Sequence, residues 1–179
     1  MKKLILLLFI PLVSFGQTPI TDANFYQAIE TCLSTNPVDG MCSDSEYGAM
    51  PDWDVSNVTD MSYAFFQRND FNADISIWDV SNVNDMSYMF YLASNFNKHI
   101  GDWDLSNVIY MSGMFLNAND FNQPISDWDV SSATNMYRMF HDASSFNQPI
   151  GNWNVSNVTI MSGMLSLIHI SEPTRLDDI

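Results

Sequence analysis

Five tryptophans stand at intervals of twenty-five residues: Trp53, Trp78, Trp103, Trp128 and Trp153. Their neighbours recur with them, as WDVSNVTDM at 53–61, WDVSNVNDM at 78–86, WDLSNVIYM at 103–111, WDVSSATNM at 128–136 and WNVSNVTIM at 153–161. A second phrase follows each of the first four: FNADI at 71–75, FNKHI at 96–100, and FNQPI at 121–125 and 146–150. A fixed period of this size restricts the chain to architectures that stack one unit on the next. A single unit buries too little apolar surface to offset the entropy of ordering itself, so the units are stable only as an array.

Within one unit, Trp78 and Val80 alternate with Asp79. That alternation predicts a short strand with Trp and Val inward and Asp outward. The stretch fits LxxLxLxxN as Ile75, Trp78, Val80 and Asn82, again as Ile100, Trp103, Leu105 and Asn107, and again as Ile150, Trp153, Val155 and Asn157. Met50, Trp53, Val55 and Asn57 open the series, and Ser132 replaces the Asn in the fourth unit. After the strand, Val83, Met86, Met89, Phe90 and Ala93 recur at steps of three and four, the spacing of one face of a short helix. Phe96 then turns inward and Asn97 starts the turn to the next strand. Ahead of the repeats, Thr21, Asp22 and Asn24 are capping residues, and Phe25, Ala28 and Ile29 fall on one helical face, which predicts an N-terminal helical cap.

The ends differ from the repeats. Met1-Lys2-Lys3, the apolar run from Leu4 to Val13 and the small residues Ser14 and Gly16 read as a secretory signal peptide over 1–16, cleaved before Gln17. The run is too short to span a bilayer, so no membrane span is expected in the mature chain. The order is then a cap over 17–49 and about four and a half repeats over 50–164. Residues 165–175, LSLIHISEPTR, resemble translated sequencing-adapter DNA, so 165–179 reads as a non-native tail that cuts the fifth repeat short. The chain is expected to be a fragment of a longer, exported protein. In an exported chain Cys32 and Cys42 are expected to form a disulfide tying the cap loop; the metal alternative needs two more ligands, and no His lies nearby.

Charge narrows the partners. Six Lys+Arg against 21 Asp+Glu give a formal charge of −15, which argues against nucleic acid, since phosphate contacts need cations. Asp54, Asp79, Asp104 and Asp129 are expected to form a ladder on the exposed strand face, with Asp52, Asp102 and Asp127 alongside. Three readings of that ladder stay open: a solvated acidic face, a Ca²⁺-bridged face, and a surface for a basic partner. The Trp column is expected in the core, and the Asn column (Asn57, Asn82, Asn107, Asn157) is expected to satisfy backbone groups between turns. The Asn-x-Thr triplets at 57–59 and 157–159 fall inside the repeat phrase and read as structural. No metal site beyond possible Ca²⁺, no other cofactor and no catalytic constellation is expected: His99 and His141 stand at different positions of different units, and the acids form columns rather than singular pairs.

The W-D-V-S-N-V-T-x-M-S-x-M-F-x-x-A-x-x-F-N-x-x-I phrase, clearest at 78–100 and 103–125, resembles the BspA-like bacterial surface proteins, a divergent leucine-rich-repeat family. The departures are Ala64 in a Met slot, Ser132-Ala133 for Asn-Val, and Asn154 for Asp. The resemblance implies an α/β solenoid: a leucine-rich-repeat-like, right-handed stack of short parallel strands with short helices on the convex side. It also implies a protein secreted or held on the outer surface of a bacterium. There it would bind an extracellular protein or other macromolecule in an adhesion-type role. A passive spacer presenting a missing C-terminal domain and a calcium-dependent binding module are the alternatives.

Overall fold

The computed structural model describes residues 18–168. The signal-peptide reading and all but the first few residues of the tail lie outside them. The 25-residue period is built as a stack of coils, each beginning at a Trp, and the coils are made of turns. Among the described residues there is one α-helix, α1 (Phe25–Leu33), one 3-10 turn (Met50–Asp52) and no strand. Direct β pairing is reduced to single-residue parallel bridges running Asp60, Asp85, Tyr110, Asn135 and Ile160.

The expected α/β solenoid of parallel strands and convex helices is therefore incorrect, for two physical reasons. The Trp-Asp-Val segment does alternate in and out, but its ends bond locally. Trp78 N–H donates to Ile75 O at 3.2 Å and Val83 N–H to Val80 O at 2.9 Å, so each segment closes into turns before a ladder forms. The second reason is width. Phe65, Phe90, Phe115 and Phe140 stack with ring centroids 5.4–5.5 Å apart, which sets the coil spacing. An α-helix packs on its neighbour at roughly 8–10 Å, so one helix per coil does not fit.

A ribbon of overlapping turns replaces the helix. Its amides alternate. Those of Met86, Tyr88, Phe90 and Leu92 donate to carbonyls of the next coil at 2.8–3.0 Å, while those of Met89, Tyr91 and Ala93 donate three residues back within the coil. Two residues per coil sit in the left-handed region to make this possible: Tyr88 and Leu92, and at the same places Tyr63 and Gln67, Gly113 and Asn117, Arg138 and Asp142. The same pattern continues at Gly163 and Leu167, and Asp142 N–H donates to Ser166 O at 3.1 Å.

The core lies inside the coils. Phe columns at 65/90/115/140 and 71/96/121/146, the Met column 61/86/111/136 and all five Trp are buried. Each indole N–H also reaches back: Trp78, Trp103, Trp128 and Trp153 donate to the carbonyls of Met50, Ile75, Ile100 and Ile125 at 3.0–3.3 Å. The Trp thus fills the core and bonds one coil to the one before it. At the N-terminal end α1 covers the first coils, with Phe25 edge-on to Trp78 at 6.0 Å. A Cys32–Cys42 disulfide closes the cap loop, and Asp22 accepts from the Thr59 amide and hydroxyl, both at 2.7 Å.

Candidate functional site

The turn at each Trp-Asp-Val-Ser phrase places its Asp outward. Asp54, Asp79, Asp104 and Asp129 are exposed on four successive coils. In each, Oδ1 accepts from the amide of the Ser two residues on, at 3.0–3.1 Å. The hydroxyl and then the amide of Ser56, Ser106 and Ser131 hold the carboxyls of Asp54, Asp104 and Asp129 below the usual range. Asn154 makes the same turn with Ser156 at 3.2 Å. The turn therefore needs the side-chain oxygen and not the charge.

The companion acids are less uniform. Asp52 ends the 3-10 turn and is exposed, Asp102 pairs with His99 Nε2 at 3.0 Å, and Asp127 accepts from the Ser126 hydroxyl at 3.2 Å. His141 lies 3.4 Å from Asp142. Among the described residues no group of three or more His, Cys, Asp or Glu is placed to hold a metal ion.

The Asn column spans coils. Asn82, Asn107 and Asn157 donate to Ser56, Ser81 and Ser131 carbonyls at 2.7–2.8 Å. Ser132, where the Asn is missing, reaches Ser106 O at 2.5 Å with its hydroxyl. Asn57 belongs to the first coil and instead lines a small groove against the cap with Pro19, Tyr47 and Trp53. A second ladder, absent from the sequence reading, comes from the Phe-Asn phrase: the Asn72, Asn97 and Asn122 side chains accept from the amides of Asn97, Asn122 and Asn147 at 2.9–3.1 Å.

Sequence reasoning also missed an aromatic cluster on the turn-ribbon surface of the first two coils. Tyr63 stacks on Tyr88 at 5.0 Å and meets Phe66 edge-on at 5.8 Å. Phe66 meets Tyr91 at 5.2 Å, and Tyr91 meets Tyr88 at 6.0 Å. The four rings close on one another, yet Tyr63 is 50% and Phe66 37% exposed. Tyr88 lies against Gly113, where a Cβ would stand 2.4 Å from the ring. Tyr63 and Phe66 line a shallow groove of about 340 Å³ with Tyr26, Glu30, Gln67 and Arg68, and Arg68 pairs there with Glu30. Tyr26 OH donates to Ser62 O at 2.8 Å and lies 3.3 Å from an Asp60 carboxylate oxygen. Burial pushes the Tyr26 phenol up to about 12 against the lowering bond to Ser62, with the charges of Asp60 and Asp85 adding to the rise. The available signal was the departure from the repeat. Positions 63 and 88 are Tyr where later coils have Gly113, Arg138 and Gly163, and positions 60 and 85 are Asp where later coils have Tyr110, Asn135 and Ile160.

Among the described residues no helix is long and apolar enough to cross a membrane. A family model described as "Mycoplasma protein of unknown function, DUF285" matches residues 38–125 and again 96–170. No curated protein and no solved structure matches the chain.

Proposed function

The chain belongs to the DUF285 family of Mycoplasma proteins of unknown function, and on that premise we propose that it is a non-catalytic repeat module that binds an extracellular protein or other macromolecule. Its place is outside the cell, secreted or on the outer surface of a bacterium. The signal-peptide pattern at 1–16 and the resemblance of the repeat phrase to BspA-like surface proteins support that location and an adhesion-type role.

The observation that carries the reading is the carboxylate column. Asp54, Asp79, Asp104 and Asp129 present one charged group at one exposed place on four coils, and Asn154 makes the same turn without a charge. A negative charge repeated where the fold does not need it suits a partner with spaced basic groups, through steering and multivalent contact. The test is capture of extracellular matrix and cell-surface proteins by the immobilised chain, beside a variant carrying Asp54→Asn, Asp79→Asn, Asp104→Asn and Asp129→Asn. The native chain is expected to retain a partner and the variant to lose it while staying folded, with only a small fall in melting temperature, because Asn makes the same turn at Asn154. Retention of nothing above background by the native chain leaves the passive-spacer reading in its place.

A further inference from the structure

We propose that the aromatic face of the first two coils, Tyr63, Phe66, Tyr88 and Tyr91 beside Asp60 and Asp85, is a docking surface for an arginine-bearing peptide segment. The proposal does not depend on the Asp54–Asp129 column and uses none of its residues.

The first argument is position. The interior Trp and Phe columns repeat their residue type from coil to coil, because each ring must fit between copies of itself. The ribbon surface carries no such constraint, and there the aromatic residues are concentrated in two adjacent coils. The four rings touch in a closed set while two of them remain over a third exposed. A solvent-facing aromatic plate of this kind marks an interaction site on a protein of this size.

The second argument is preorganisation. Tyr63 and Tyr88 occupy left-handed backbone, a conformation uncommon for an aromatic residue. Tyr88 is seated against Gly113, the one residue type that leaves room for its ring. The plate is therefore set before any partner arrives.

The third argument is charge. Asp60 and Asp85 face each other across a parallel bridge on the same two coils and in no later one. With a chain charge of −15 they favour a cationic occupant over a neutral one. Both carboxylates act on the Tyr26 phenol, which lines the adjoining groove with Tyr63 and Phe66, and a planar guanidinium stacks on a ring in a way a lysine ammonium does not. The chain shows the same chemistry within itself: Arg138, at the position equivalent to Tyr63 and Tyr88, holds its guanidinium 5.1 Å from the Tyr137 ring. In the adjoining groove Arg68 pairs with Glu30.

The test is titration calorimetry of the full chain with a Gly/Ser peptide carrying several arginines, and with the same peptide carrying citrulline or lysine instead. The arginine peptide is expected to bind at least tenfold more tightly than the citrulline peptide and several-fold more tightly than the lysine peptide. A Tyr63→Asn, Tyr88→Asn variant keeps the net charge, and Asn accepts the left-handed backbone; it is expected to lose tenfold or more. An Asp39→Asn, Asp44→Asn variant removes two charges from the cap loop and is expected to change affinity less than threefold. Ring-proton shifts of the native chain give a readout that needs no variant: Tyr63, Tyr88 and Tyr91 are expected to move with added arginine peptide, and Tyr47, buried in the cap, to stay. Equal losses in the two variants, equal binding of arginine and citrulline peptides, or unmoved Tyr63 and Tyr88 resonances would each overturn the proposal.

Discussion

Replacing Trp128 by Phe tests whether the indole N–H bonds hold successive coils together. Trp128 is 4% exposed and donates to Ile100 O at 3.0 Å across the coil boundary. That carbonyl also accepts from Trp103 N–H at 3.3 Å, so it keeps one partner and the lost bond costs about 1 kcal/mol. The smaller ring opens space beside Phe115 and Trp153, whose centroids lie 6.3 and 6.1 Å away, which adds roughly 1–2 kcal/mol. The expected loss is about 2–3 kcal/mol, read as a lower urea midpoint at unchanged slope or as a fall in melting temperature of roughly 2–4 °C per kcal/mol. Trp53→Phe is the parallel case. Its acceptor, Gly48 O, lies in the cap and also accepts from the Ser45 hydroxyl at 3.2 Å, and its ring is equally buried beside Trp78 and Tyr47, so the same reasoning gives about 2–3 kcal/mol. A Trp128→Phe cost no larger than the roughly 1 kcal/mol at the low end of the ring contribution alone would refute the bonding role and leave the Trp as filler.

Leu92→Asn separates the turn ribbon from the expected helix by sign. Leu92 has φ 61°, so Asn, already present at the equivalent Asn117, is expected to stabilise by about 0.5–1 kcal/mol; in a helix the same change would cost roughly 0.5 kcal/mol, and a loss in chemical denaturation would refute the left-handed assignment. Joint replacement of Cys32 and Cys42 by Ser opens a loop of ten-residue separation and is expected to cost about 2.5–3 kcal/mol; an unchanged melting temperature would show that the cap does not depend on the bridge. The carboxyls of Asp54, Asp104 and Asp129 are lowered in the folded chain, so the unfolded chain takes up protons first on acidification. Their contribution is present above the unfolded carboxylate value of about 3.9 and is lost as pH falls through the lowered folded values. Denaturation midpoints are therefore expected to hold from pH 7 to about 5 and to decline below about 4; a rise between pH 5 and pH 3 would show that relief of self-repulsion outweighs the turns.

What was legible in the sequence is the inside of the stack. A 25-residue period places Trp78, Val80, Val83, Met86, Phe90 and Phe96 in the core, because burial depends on where side chains recur and not on the backbone route between them. That route was ambiguous. Steps of three and four from Val83 to Ala93 suit an α-helix and a ribbon of overlapping turns equally well, since both bring every third or fourth side chain to one face. The residues that decide between them are the left-handed ones, and they left a trace: Gly113, Asn117, Asp142 and Gly163 stand at two positions four apart. Gly, Asn and Asp are the types that tolerate such backbone. Read as columns rather than coil by coil, they argue against a helix. The Asp-Val-Ser phrase carried a similar ambiguity. An outward Asp fits a strand, but an Asp followed two residues later by Ser also closes an Asx turn, and that is the bond each one makes.

The surface was the least legible part, for a reason that follows from the stacking. An interior column is held to a narrow set of apolar residues because each member packs against its own copies above and below. A surface column answers only to the local turn, which asks for a side-chain oxygen at 54, 79, 104, 129 and 154 and for tolerance of positive φ at 63, 88, 113, 138 and 163. The turn forms with or without the charge at the first set, and with ring, guanidinium or hydrogen at the second. Residue choice there is constrained less than in the core, so constancy and departure carry different information. Four Asp kept where Asn serves the turn make a display repeated along the stack. Two Tyr placed where Gly is easiest make a feature confined to one end. A partner reading the first would gain from every added coil; a partner reading the second would be set by two coils alone.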